Sequence, residues 1–174
     1  MKNYPFLNSR YALTVCRIEP ENNIHVILEA FSRDAAFPVA MIGNWDNSDY
    51  GKDLKSRYQA NENIHLLAPF YELAELNAIR TGCFVYLHGH SCGGTNPSLV
   101  EAMYLGLPII AFDVNFNRET TENKALYFQN ADHLRSLVND IDEKLLKQNG
   151  EAMREIALRR YTWKRISELY AALF

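Results

Sequence analysis

The chain has 174 residues, 48% of them hydrophobic and 22% charged, which is the balance of one soluble domain with its own core rather than of a disordered or fibrous chain. Lysine and arginine number 18 against 21 aspartate and glutamate, a net charge of −3, and no basic run could follow a phosphate backbone, so nucleic acid is excluded as a partner. The opening residues lack the apolar stretch and cleavage site of a signal peptide, and no segment reaches the ~20 apolar residues of a spanning helix, so a cytosolic domain is expected.

Short apolar runs recur over residues 11–16, 39–42, 64–67, 83–87, 108–112 and 125–128. Their apolarity is continuous rather than alternating, which predicts strands covered on both faces. Of the three cysteines, Cys16 and Cys83 fall within these runs and read as small core residues; with Cys92 the number is odd, and no disulfide framework is implied. Between the runs, Ile24, Ile27, Leu28 and Phe31 share one helical stripe, as do Leu73, Leu76 and Ile79, and more loosely Leu99, Met103 and Leu105. The predicted order is β-α-β-α-β-α-β-α-β-β.

Beyond Asn130 the strand signal stops. Leu134, Leu137, Val138, Ile141, Leu145 and Leu146 repeat at helical spacing up to Gly150, and a second helix is expected over residues 151–160. Tyr161-Thr162-Trp163 opens a last helix capped by Thr162, with Ile166, Leu169 and Tyr170 facing inward. No internal repeat or linker is present.

Alternating strands and helices with right-handed crossovers predict an α/β fold, a Rossmann-like, doubly wound, parallel six-stranded sheet in the order 3-2-1-4-5-6 with C-terminal helices. Ligands on such sheets bind beyond the carboxyl ends of the strands where the order reverses. The loop after the first strand should therefore lie beside the loop after the fourth.

The fourth strand runs into a polar, glycine-rich loop that ends in Gly93-Gly94-Thr95-Asn96-Pro97-Ser98. Pro97 suits a first helical turn and Asn96 or Thr95 the cap before it. Free amides at a helix start, with the close backbone approach that Gly93 and Gly94 allow, form a site for a phosphate or diphosphate. The plainer reading is a strand-to-helix turn that needs glycine only for its backbone angles. What favours binding is the other loop, where Arg17 sits at a strand end and can close on phosphates from the opposite side, although by itself it reads as a surface arginine paired with Glu19 or Glu21. Glu101, placed in the first turn of the following helix, is favoured by the dipole and can accept hydrogen bonds from ribose hydroxyls. His88, His90 and Cys92 are too few for a zinc site, and Ser91 and Ser98 lack the elbow and acid-base pair of a serine nucleophile.

These features together resemble the C-terminal half of retaining glycosyltransferase family 4, over nearly the whole chain. Arg17 with Pro20-Glu21-Asn22-Asn23 and the helix ending Leu28-Glu29-Ala30-Phe31 is similar to the family's Arg…Pro-Glu-Lys-Asn…Ala-Phe segment. Asn63 to Phe70 is similar to the strand and loop that approach the base, Glu101-Ala102-Met103 with Gly106-Leu107-Pro108 to its Glu-Ala-Met…Gly-Thr-Pro signature, and Tyr161-Thr162-Trp163 to its closing Tyr-x-Trp. The resemblance implies a GT-B C-terminal domain with Arg17 on the diphosphate as the catalytic residue and Glu101 on the ribose. It puts the segment Thr95, Asn96, Pro97 and Ser98, through the amides around it, on the phosphates or sugar, and Pro69 and Phe70 at the base.

Two positions depart from the pattern. Asn22 replaces the family's lysine, and Gly93 falls where its first glutamate stands. Residues 89–98 and 116–119, with Arg118 as a further phosphate contact, resemble bacterial rhamnosyltransferases of capsule and O-antigen synthesis. That likeness implies a dTDP-rhamnose donor, metal-independent transfer with retention, and a saccharide or lipid-linked acceptor. It also implies an N-terminal GT-B domain absent from this sequence, through which the enzyme can reach the inner face of the membrane, and little turnover by this half alone. The alternatives are a non-catalytic nucleotide-binding subunit that needs a separate partner chain, and a sugar-nucleotide epimerase, which would need catalytic carboxylates and a second domain.

Overall fold

The computed structural model describes residues 4–173, apart from the side chain of Leu169. Strands β1 (Ala12–Val15), β2 (Val39–Ile42), β3 (Ile64–Leu67), β4 (Val85–His88), β5 (Ile109–Phe112) and β6 (Leu126–Phe128) form one sheet in the order β3-β2-β1-β4-β5-β6, every neighbouring pair parallel. This is the doubly wound order expected from the sequence. Leu13 sits at the centre of the register, opposite Ala40 on one side and Tyr86 on the other.

Successive side chains of a pleated strand point to opposite faces, so a sheet apolar on both sides must be covered on both. Ala12, Val39, Met41, Val85, Leu87 and Ile110 turn to the face where α1 (Ile24–Phe31), α2 (Asp49–Tyr58) and α6 (Ala131–Asn139) pack. Leu13, Ala40, Ile42, Tyr86, Ile109 and Ala111 turn to the face covered by α3 (Leu73–Gly82), α4 (Pro97–Tyr104) and α7 (Glu143–Arg160). Among the described residues no helix is long and apolar enough to cross a membrane.

Several details differ from the expected elements. A short helix, α5 (Asn115–Thr120), intervenes between β5 and β6; its sequence is polar but for Phe116, so no apolar stripe announces it. Cys16 lies just past β1 and Cys83 caps α3, so neither is in a strand, although Cys83 is buried. Leu105 follows α4 and is exposed. Gly150 does not end a helix: α7 runs through it unbroken. A Cβ on Gly150 would stand 2.5 Å from the carbonyl oxygen of Gly106, so this glycine permits the backbone of α7 to touch the turn between α4 and β5.

The last helix, α8 (Trp163–Ala171), is capped as expected, with the Thr162 hydroxyl accepting from the Arg165 amide. Its stripe does not turn inward as a whole. Ile166 is half-buried, whereas Tyr170 is exposed because α8 stands off the sheet with α7 as its chief contact. Leu169 was expected on the same stripe and lies outside the described side chains.

Candidate functional site

Because β1 and β4 are hydrogen-bonded neighbours, their C-terminal loops leave the sheet side by side at the point where strand order reverses. Side chains then stitch the two loops together. Asn22 is buried; its Nδ2 donates to the Arg17 carbonyl at 2.7 Å and its Oδ1 pairs with Nδ1 of His90 at 2.8 Å. With the amide oxygen able only to accept, His90 must donate from Nδ1. Asn23 donates to the Gly89 carbonyl at 2.8 Å, and both the amide and the hydroxyl of Ser91 donate to the Glu21 carbonyl, at 2.8 and 3.0 Å. Gly89 has no room for a side chain, since a Cβ there would overlap the Asn22 carbonyl oxygen.

Between these loops and α4 lies a cleft of about 400 Å³. Arg17 and Asn22 border it from the first loop, His90 from the second, and Asn96, Pro97, Ser98 and Glu101 from α4 and its cap. The Arg17 side chain is 79% exposed, and its ion partner is Glu21 at 3.8 Å. An exposed pair at that distance holds the guanidinium weakly and leaves it available to an anion.

The helix terminus differs in detail from expectation. Asn96 caps α4, its Oδ1 accepting from both the amide and the hydroxyl of Ser98, at 3.0 and 2.8 Å. Pro97 carries no N–H, and the Leu99 and Val100 amides reach the Asn96 carbonyl. The Ser98 amide is therefore spoken for, and the free donors sit one step earlier. The amides of Gly93, Gly94, Thr95 and Asn96 find no protein acceptor among the described residues. Gly93 takes φ +97°, which a side chain would strain, and nothing lies within 4 Å of a Cβ built on Gly94, so the loop is open to solvent there. Thr95 is held at one side by Thr120, with Oγ1 atoms 3.3 Å apart.

Glu101 is the fifth residue of α4, beyond the first turn, so the helix dipole does not explain it as expected. What holds it is Arg80, whose Nη2 donates to Oε2 at 2.5 Å. Sequence reading missed Arg80, although the signal existed: four residues after Leu76 and next to Ile79, it falls on the buried stripe of α3, where an arginine needs a partner, whereas Leu73, expected on that stripe, is exposed.

Other expected residues stand apart from this cleft. Arg118, on α5, donates to Asp113 at 2.5 Å and lies 4.1 Å over the Tyr127 ring; its guanidinium beside Asp113 holds that carboxyl below the usual carboxylate range. Glu119 and Glu122, the carboxylates next to it in sequence, pair with Arg160 and Arg159 instead. Pro69 borders a smaller hollow of about 200 Å³ with Trp45 and Asn44, and the Phe70 ring meets Tyr4 edge-on at 6.0 Å.

His88, at the end of β4, is buried with its ring stacked on Tyr86, and its Nε2 finds no partner. Burial, reinforced by the neighbouring His90, pushes it down to about 3, so the ring is neutral. Burial likewise pushes the Cys16 thiol up to about 12, so no thiolate faces the cleft. Among the described residues no group of three or more His, Cys, Asp or Glu could hold a metal ion.

The chain is 24% identical over 160 residues to a Streptococcus pneumoniae protein, the UDP-N-acetylglucosamine–peptide N-acetylglucosaminyltransferase GtfA subunit, covering 87% of this chain and 31% of that protein. Sucrose-phosphate synthase from Thermosynechococcus elongatus superposes with a TM-score of 0.80 at 19% identity, over 97% of this chain and 46% of that one. Anabaena Alr3699/HepE in complex with UDP-glucose does so with a TM-score of 0.80 at 17% identity, over 96% and 50%. The chain thus spans half or less of the length of these relatives. The family model described as glycosyl transferases group 1 matches residues 2–160, and the chain belongs to that family, with the Rossmann-like fold of its GT-B domains.

Proposed function

We propose that residues 1–174 are the donor-binding half of a retaining, family 4 type GT-B glycosyltransferase, which moves a sugar from a nucleoside diphosphate to an acceptor held by an N-terminal domain outside this sequence. The observation that carries the reading is the convergence on one cleft of Arg17, Asn96 at the start of α4 and Glu101, with the free amides of residues 93–95 in the loop that leads into it. A departing diphosphate develops charge on its β-phosphate, and a guanidinium with preorganised amides stabilises that charge without a metal ion. Glu101 accepts from the ribose hydroxyls, and Pro69 and Phe70 border the approach of the base. Asn22 serves the donor indirectly, by fixing Arg17 and His90.

Resemblance to capsule and O-antigen enzymes supports rhamnose as the sugar and a saccharide or lipid-linked acceptor at the inner membrane face. Gly93, where the family's first glutamate stands, leaves space beside the donor sugar. Uridine diphosphate in the Anabaena complex makes UDP the first nucleotide to compare with dTDP. A second reading, a nucleotide-binding subunit completed by another chain, is favoured by the name of the pneumococcal relative.

The test is calorimetric titration of this chain with UDP, dTDP, GDP and pyrophosphate, with and without magnesium. Selective, magnesium-independent binding of one nucleoside diphosphate is expected; no binding at millimolar ligand would transfer the weight to the subunit reading.

A further inference from the structure

Arg80 ends α3 in a place where a guanidinium needs a reason to be. The residue is 8% exposed, does not border the cleft, and has one ion partner among the described residues, Glu101, 21 positions further along the chain. The pair is asymmetric: the Arg80 side chain is 9% exposed and the Glu101 side chain 52%. A carboxylate that swung away would strand a buried charge, so the arginine tethers the glutamate far more firmly than a surface pair does. Only Oε2 is engaged; Oε1 has no protein partner among the described residues. Each carboxylate oxygen can accept more than one hydrogen bond.

We propose that Arg80 is a positioning residue for nucleotide recognition: from inside the domain it fixes Glu101 in one orientation, with the free edge of the carboxylate presented to ribose hydroxyls at the cleft wall. This rests on the ribose assignment given to Glu101 above. Orienting the carboxylate before the ligand arrives removes an ordering cost that binding would otherwise bear. It also makes the discrimination specific to the sugar hydroxyls, since Arg80 itself does not border the cleft.

The experiment compares UDP with 2′,3′-dideoxy-UDP on wild type, Arg80→Met, Arg80→Gln, Arg80→Lys and Glu101→Ala, with thermal melting of each. Wild type is expected to prefer UDP by about tenfold or more, the size of one charge-assisted hydrogen bond. In Arg80→Met and Arg80→Gln the preference should shrink to within about threefold of unity while dideoxy-UDP affinity stays within about twofold, a selective change that general loosening of the fold would not give. Arg80→Lys, which keeps the charge but not the fork, should recover part of the preference. Retention of the full preference in whichever of the two neutral variants folds overturns the proposal while leaving the ribose assignment standing. If wild type shows no preference, or Glu101→Ala keeps it, the ribose assignment fails and this proposal with it.

Discussion

Asn22 and His90 stand 68 positions apart yet share one hydrogen bond of 2.8 Å, and because Asn22 Nδ2 is committed to the Arg17 carbonyl, the shared proton comes from His90. A residue that replaces a positive charge in the family pattern is thereby the latch between two loops. Asn22→Leu would leave the Arg17 carbonyl and the His90 N–H without their partner, and is expected to lower stability by about 1–3 kcal/mol. Nucleotide affinity should fall with it, though no charge is removed. Urea unfolding and UDP titration of the same variant check this; an unchanged midpoint would show the latch to be idle.

Arg17→Ala separates binding from folding. Its side chain is largely in solvent with a 3.8 Å contact to Glu21, so melting should be unaffected, whereas nucleoside diphosphate binding should weaken by about 1.5–3 kcal/mol through loss of a charge-assisted contact. Pyrophosphate should lose as much as UDP. Equal affinity in wild type and variant would remove Arg17 from the site.

What the sequence disclosed and what it withheld divide along a physical line. Continuous apolar runs and the polar loops between them are local signals, and they sufficed for the sheet order, for the Asn96 and Thr162 caps, and for the meeting of Arg17 with Asn96, Ser98 and Glu101 at one cleft. Features that depend on what packs against a residue did not show. Arg118 is as polar as Arg17 in sequence, but Asp113 and Tyr127 occupy it. Glu101 looked like a dipole-compensating carboxylate until Arg80 appeared behind it. The α5 helix lacks an apolar stripe because the residues it buries, Asn117 and Thr120, are polar, Asn117 donating to the carbonyls of His90 and Phe112.

Gly150 is the sharpest such case, since local and tertiary arguments give opposite signs. In the interior of an exposed helix, glycine to alanine gains about 1 kcal/mol. Here the added methyl would stand 2.5 Å from the Gly106 carbonyl oxygen and 3.4 Å from the Pro108 nitrogen, both backbone atoms that cannot turn aside. Gly150→Ala is therefore expected to destabilise, by about 1–3 kcal/mol, the range for overpacking a close contact. A higher melting temperature in the variant would mean that α7 can ride away from this turn at little cost.

His88 should impose a pH dependence of its own. Its folded value near 3 lies below the ordinary 6.5, so between those two values the unfolded chain binds a proton that the folded chain refuses. The contribution of the neutral ring is complete above about pH 6.5 and is lost as pH falls toward about 3, with a slope of at most about 1.4 kcal/mol per pH unit from this group. Carboxylates begin to titrate lower, and since His65 is also lowered by burial and adds a slope of the same sign, it is the difference between wild type and a His88 variant over pH 6.5 to 5 that isolates His88. His88→Phe retains a ring to stack on Tyr86 and removes the unpartnered nitrogen. Replacing a buried polar atom without a partner by an apolar one of similar shape is close to neutral or stabilising, so stability at pH 7 should hold or rise while the slope between pH 6.5 and 5 flattens. Denaturant unfolding of both proteins across that range decides the matter: a slope undiminished in His88→Phe assigns the proton uptake to another group such as His65, and a large loss at pH 7 means that Nε2 has a partner the ring cannot do without.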